Sequence, residues 1–379
     1  MKEHKRYDIA IIGGGLAGLC LAIQCVEKHY NVILFEKEEY PFHKVCGEYI
    51  SLESWDFLQT LGVPLPELNL PIIKTLQVTD AKGEAYTFNL PLGGFGVSRF
   101  SLDSLLYHIA LTKGVEICTN SKVNSIEYNN EEFTICSLKK TVRAKVAAGT
   151  FGKRSNLDIK WNRTFTRQKP NSLNNYIGIK YHVRYNHPTD HIYLHNFYKG
   201  YCGISKIEED KSCLCYLTTA QNLKNCGNSV SEMERQVLYK NPLLKEIFDS
   251  AEFLYEEPLA ISQISFDKKL QVENHVLMLG DAAGMISPLC GNGMSMAMHS
   301  AKLAFEKIHL FLINSISRRQ MEKDYSETWK RHFFKRLWMG RNVQKLFGGE
   351  VSTSLFLKSM HSFPLLSSLV IRSTHGQPF

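Results

Sequence analysis

Gly13-x-Gly15-x-x-Gly18, followed at a distance by Glu36, is the first set of residues in this 379-residue chain whose types and spacing could do chemistry. Gly13 permits a tight turn, and Gly15 lets the backbone approach a pyrophosphate. Gly18 lets the next helix pack closely on the preceding strand. A helix starting there, with Ala17 in its first turn, points its free amides at phosphate oxygens. Glu36, with Lys37 beside it, can accept hydrogen bonds from a ribose diol. The chemistry is nucleotide binding, and the elements it needs are all present. Residues 9–12 form an unbroken apolar run, as expected of a parallel strand covered on both faces. A helical pattern runs from 16 to about 28, and a second apolar run, 32–35, ends on Glu36.

Composition narrows the setting. With 44% hydrophobic residues the chain can bury a large core, and its length suits two closely packed subdomains. A net charge of +8 suits an acidic cofactor or an anionic membrane surface and does not imply nucleic acid. The ten cysteines form no extracellular framework. The one close pair, Cys213-x-Cys215, would alternate faces on a strand, so no metal site is expected. The first strand begins too early for a signal peptide and no apolar run reaches membrane-spanning length. The expectation is a cytoplasmic protein, with peripheral membrane contact as an option.

Along the chain, Tyr40-Pro41-Phe42-His43-Lys44-Val45-Cys46-Gly47-Glu48-Tyr49 reads as a loop. A helix follows over 52–61, then a hairpin over 72–88 that turns at Asp80-Ala81-Lys82-Gly83. A second helix carries Leu102, Leu105, Leu106, Ile109 and Ala110, with Ser101 as N-cap and Asp103 in its first turn. Strands are expected at 115–118, 122–128, 133–138 and 141–148. Residues 161–257 shift toward Tyr, Asn and alternating apolar positions, predicting an antiparallel sheet and a helix over 230–250. Residues 275–281 return to the buried-strand pattern. A helix over 294–312 precedes a basic, aromatic-rich one over 329–347, which reads either as a membrane-surface helix or as an ordinary amphipathic helix. The fold class is therefore α/β: a Rossmann-like nucleotide-binding domain (1–160 with 258–312, sharing residues near 70–100 with the other sheet), an inserted antiparallel-sheet substrate domain (161–257) and a helical C-terminal region (313–379).

Three separated motifs together resemble the FAD-dependent group of p-hydroxybenzoate-hydroxylase-like monooxygenases and geranylgeranyl reductases. They are the fingerprint ending in Glu36; Arg99-x-x-Leu102-Asp103-x-x-Leu106; and Gly280-Asp281-Ala282-Ala283-Gly284-x-x-x-Pro288-x-x-Gly291-Asn292-Gly293-Met294. The resemblance spans residues 7–312. It implies that FAD is the cofactor, that Arg99 approaches it from a helix start, and that Asp281 contacts the ribityl chain. It also implies that the Gly291-Asn292-Gly293 turn opens a helix facing the flavin pyrimidine edge. A helix N-terminus there would stabilise the negative charge of a reduced flavin.

Within the group, Pro41-x-x-Lys44-x-Cys46-Gly47 is similar to the reductases' Pro-x-x-Lys-x-Cys-Gly-Gly, with Glu48 in place of the second Gly. The resemblance implies that this loop borders the flavin and that Cys46 lines the substrate pocket. Cys46 also reads as a small buried hydrophobe, and Lys44 and Glu48 as solvated loop charges. Gly47-Glu48 is similar as well to flavin-dependent halogenases, whose Trp-x-Trp-x-Ile-Pro signature is absent. Phe151 stands where many hydroxylases of the group carry an Asp, with Lys153 and Arg154 following, so NADPH, NADH or another donor could serve as transient reductant. The function implied is reduction of a C=C bond in a hydrophobic prenyl or polyene substrate, with Cys46, Lys44 or Tyr49 as proton donor. Hydroxylation of an aromatic or polyprenyl substrate is the alternative, and a non-catalytic FAD-binding protein is the third.

Overall fold

The computed structural model describes residues 4–169, 171 and 174–379. Its first sheet is built on the apolar runs. In spatial order the strands are Val272–Glu273, Val276–Met278, Thr141–Gly149, Arg6–Ile12, Val32–Phe35 and Glu116–Cys118. All neighbours are parallel except the first pair. Val123–Asn129 and Glu132–Ser137 form a hairpin paired antiparallel to Thr141–Gly149. Every residue of Val32–Phe35 is buried. The helix Leu16–Val26 is apolar all round and buries Leu16 through Cys25 between the sheet and the helices Arg99–Thr112 and Gly293–Leu312. The fold is thus α/β with a Rossmann-like unit, as the sequence predicts.

The second sheet runs Glu252–Phe253, Asn174–Arg184, Ser212–Thr219, Gly200–Lys206, His191–Phe197, Ile72–Thr79, Ala85–Gly96, Tyr49–Ser51, with Leu259–Ser265 also paired to Asn174–Arg184. Three of its strands come from the first hundred residues. They join the rest through the parallel pairing of His191–Phe197 with Ile72–Thr79. The turn between Ile72–Thr79 and Ala85–Gly96 is held by Asp80, whose Oδ1 accepts from the amides of Lys82 (2.9 Å) and Glu84 (3.0 Å).

Local chemistry shifts three expectations. Ser98, not Ser101, caps the helix Arg99–Thr112, because its hydroxyl accepts from the Ser101 amide and the helix begins three residues earlier. The helix over 230–250 is broken into Val230–Val237 and Pro242–Ser250. Pro242 cannot continue the first segment, and Asn241 caps the second by accepting from the Leu243 amide at 3.0 Å. The basic helix spans Arg318–Leu346, and its Trp329, Phe333 and Leu337 are buried. They recur every four residues, so that stripe belongs to the core, and of the helix's Phe and Trp side chains only Phe334 and Trp338 stay outside. Among the described residues no single helix is long and apolar enough to cross a membrane.

Three buried histidines make the fold sensitive to acid. Burial holds His187 and His195 down at about 4 and His299 at about 3. The unfolded chain takes up these protons below the ordinary value of 6.5, while the native state refuses them until far lower pH. Their contribution to stability is complete above that value and is lost as pH falls toward about 4. Each should lose roughly 2 kcal/mol by about pH 5. Urea unfolding at about pH 7.5 and about pH 5 checks this, and H195Q should flatten the dependence.

Candidate cofactor and active site

The glycine turn packs as tightly as its spacing requires. A Cβ on Gly18 would lie 2.0 Å from the Gly13 carbonyl oxygen, so the helix can approach the strand only with glycine there. Glu36 is buried; its Oε2 accepts from the Gly14 amide at 2.7 Å and its Oε1 from the Glu38 amide at 3.1 Å. One carboxylate therefore fixes the turn and keeps lone pairs for a ribose. Lys37 points away, in a surface pair with Glu38. The helix Leu16–Val26 starts at Gly15 with no side-chain cap, leaving its first amides, Ala17 included, free for an anion.

Arg99 and Lys44 stand over the same turn. The Arg99 guanidinium grips Asp103 with both a 2.8 Å and a 2.7 Å bond, and Lys44 Nζ reaches the same carboxylate at 2.9 Å. Burial disfavours the charged form of Asp103, but Arg99 and Lys44 outweigh it and hold the carboxyl below its usual range. A Cβ on Gly15 would be 3.6 Å from Arg99 Nη2 and 3.7 Å from Lys44 Nζ. Two cations sharing one anion leave a net positive charge where a pyrophosphate would lie. Lys44, one of the expected proton donors, is held in that ion-paired cluster over the glycine turn.

The second motif builds the opposite wall. The Gly280 amide donates to Ser300 Oγ at 2.9 Å. Asp281 follows on a 3₁₀ turn, and burial raises its carboxyl. Lys269, which sequence reasoning missed, donates from Nζ to the carbonyls of Asp281 (2.8 Å) and Lys153 (2.7 Å), and burial lowers it to about 8. Phe151 packs near Trp161, and Lys153 donates to the Ser262 carbonyl. Pro288, itself exposed, opens a 3₁₀ turn that buries Cys290 and ends at Gly291. Gly291 is left-handed (φ 66°), and a Cβ there would lie 2.9 Å from the Tyr49 ring. Asn292 is fully buried; its amide donates to the Thr374 carbonyl at 2.5 Å, while its Oδ1 has no partner among the described residues. The helix Gly293–Leu312 then begins without a side-chain cap.

The loop 44–48 closes the gap between these walls. Cys46 Sγ is 3.6 Å from Met294 Sδ at that helix start, and among the described residues no atom beyond the chain neighbours of Gly47 lies within 4 Å of where its Cβ would sit. Burial raises the Cys46 thiol, which stays protonated. Glu48 is not a solvated charge: it is fully buried with φ 55°. Its Oε1 accepts from Lys180 Nζ (2.5 Å) and the Arg99 amide (2.8 Å), and its Oε2 lies 2.6 Å from His182 Nε2. Burial pushes this carboxyl up, but the His182 bond and the Lys180 charge outweigh it and hold it low. Lys180 also donates to the Lys44 carbonyl at 3.2 Å, and Cys213 Sγ to the Cys46 carbonyl at 3.1 Å. Glu48, His182 and Cys213 converge within 4.8 Å, yet the Lys180 ammonium already supplies the counter-charge a metal would bring. The sequence signal for this cluster is Lys180-x-His182, two polar residues on one face of a strand whose other face is Ile179, Tyr181 and Val183.

Two uncapped helix starts, two cations over the glycine turn, an orphaned amide oxygen and an open glycine face are what an anionic dinucleotide with a flat ring would satisfy. Fold and site define a nucleotide-cofactor oxidoreductase. The chain belongs to the FAD binding domain family, matched over residues 6–331, and is an FAD-dependent enzyme. It is 26% identical to a 1H-pyrrole-2-carbonyl-[peptidyl-carrier protein] brominase of Pseudoalteromonas luteoviolacea, over 81% of this chain and 78% of that one. It is 22% identical to a digeranylgeranylglycerophospholipid reductase of Methanococcus vannielii, over 88% of this chain and 84% of the other. Among solved structures it resembles the flavin-dependent brominase Bmp2, with TM-score 0.80 and 19% identity over 98% of this chain and 93% of that one. The Glu36 turn, Arg99, Asp281 and the 291–294 helix start would hold the FAD.

Removing one member of the buried pair tests the loop's anchoring. E48Q leaves Lys180 charged, buried and uncompensated, and should cost about 3 kcal/mol or more. FAD content per chain should fall with it. E48Q/K180M should recover much of the stability, as double-mutant thermal unfolding would show.

Proposed function

We propose that the enzyme reduces a C=C bond of an apolar prenyl or polyene substrate, with NADPH or NADH as reductant. Bound FAD supplies the electron pair that passes to the substrate. The observation that carries this reading is Tyr49. Its side chain is buried beside the Gly291 turn and its hydroxyl has no hydrogen-bond partner among the described residues. Burial raises the phenol, so it stays a donor at neutral pH. Tyr49 belongs to an apolar cluster with Phe88, Leu90, Leu194, Leu217 and Phe266, which suits a hydrophobic ligand presenting one polar or reacting atom. The Cys46 thiol, half-buried on the adjoining loop, is the second protonated group at this junction. Reduction of an alkene needs a proton at the carbon that does not receive the hydride, and such a group can supply it.

Hydroxylation of an aromatic or polyprenyl substrate is the second reading. Likeness to a brominase favours it, since bromination also oxidises its substrate. The two readings separate under argon. Pre-reduced enzyme mixed with a polyene should reoxidise its flavin and yield a product two hydrogens heavier. Y49F should slow that step at least tenfold, a loss of roughly 1.4 kcal/mol or more in transition-state stabilisation, with FAD content unchanged. Turnover that requires oxygen and adds an oxygen atom would replace the first reading with the second.

A further inference from the structure

We infer that the C-terminal helices form a docking face for an anionic bilayer surface. The inference is independent of the reaction proposed above. Residues 328–379 carry Lys330, Arg331, Lys335, Arg336, Arg341, Lys345, Lys358 and Arg372 against one carboxylate, Glu350. That segment therefore holds seven of the chain's eight net positive charges. It also concentrates exposed apolar side chains. Of sixteen large hydrophobic residues exposed among the described residues, nine fall between Phe334 and Leu369, in about a tenth of the chain.

Their arrangement is amphipathic. On the helix Glu350–Ser362, Thr353, Leu357 and Met360 turn inward, while Val351 (71% exposed), Leu355 and Lys358 share the outer face. On Pro364–Thr374, Ile371 and Thr374 turn inward, while Leu365 (88% exposed), Leu369 and Arg372 face out at helical spacing. Phe363 is exposed at the 109° bend between the two. The helix Arg318–Leu346, packed on both, adds Lys330, Phe334 and Trp338 at four-residue intervals. Its Trp329, Phe333 and Leu337 contribute nothing to this face, being buried.

Charge complementarity selects the occupant. A protein partner's interface core excludes charged residues, whereas here cations are interleaved with the apolar side chains; the acids are Glu350 within the segment and Glu84, which pairs with Lys358 at 3.4 Å. An anionic membrane takes both kinds of group: the apolar side chains enter the acyl boundary and the cations meet headgroups. Helices of 13 and 11 residues, sharply bent and carrying Lys358 and Arg372, are too short to span a bilayer, so they would lie along it.

The full-length, FAD-loaded protein should float with vesicles containing phosphatidylglycerol and bind at least tenfold more weakly to pure phosphatidylcholine. The L355E/L365E/L369E variant should lose at least tenfold in binding while keeping its FAD content and thermal midpoint. K358E/R372E should lower the salt sensitivity of binding. Failure of the wild type to bind anionic vesicles, or equal binding by the leucine variant, would overturn the inference. So would a wild-type dimer that the leucine variant converts to monomer, since a second copy would then cover this face.

Discussion

The structure turns on one buried carboxylate. Glu48 sits in a left-handed backbone conformation with both oxygens engaged, joining the loop 44–48 to Lys180 and His182 of the second sheet and to the first amide of the helix Arg99–Thr112. Two ions removed from water attract each other strongly but regain little net stability, so such a pair fixes geometry more than it adds to it. Here it fixes where Cys46 and Gly47 stand relative to the Gly291–Met294 turn. Tyr255 extends the network outward: its hydroxyl lies 2.7 Å from His182 Nδ1 and 3.1 Å from His43 Nδ1. The cofactor loop is thereby held by the substrate sheet, and neither half can shift without disturbing the other.

Around that loop the electrostatics are graded. The glycine turn is overlaid by Arg99 and Lys44, which share the single anion Asp103. The far end is an uncapped helix start beside an unpartnered amide oxygen. Between them lie groups that burial keeps neutral, the Cys46 thiol and the Tyr49 phenol. Positive charge is placed for phosphates, partial positive charge for a reduced ring, and neutral donors for the substrate side. This division of labour makes the family's cofactor fit the chain's own residues.

The parts legible in the sequence are the local ones. Strand, glycine turn, helix and Glu36 fall within thirty consecutive positions, and their chemistry follows from short-range geometry. The hairpin turning at Asp80 was equally readable, because one side chain organises it. What could not be read is pairing across long separations. Glu48 looked like a loop charge because its partner Lys180 lies 132 residues away. Lys44 reads as a proton donor or a loop charge because its partner Asp103 lies 59 residues on. The basic helix misled for another reason: its aromatic residues serve two faces, and composition does not say which stripe is buried. The subgroup was the least readable of all. The Pro-x-x-Lys-x-Cys-Gly loop points to the reductases, but solved structures of similar fold include a brominase.

The most direct test of the account is an anaerobic absorbance titration of the purified protein with NADPH and then NADH. The account predicts one FAD per chain, bleached by at least one of the two nucleotides. A protein that carries no flavin when purified and takes up none from solution would contradict the assignment of the Glu36 turn, Arg99, Asp281 and the 291–294 helix start as its cofactor site.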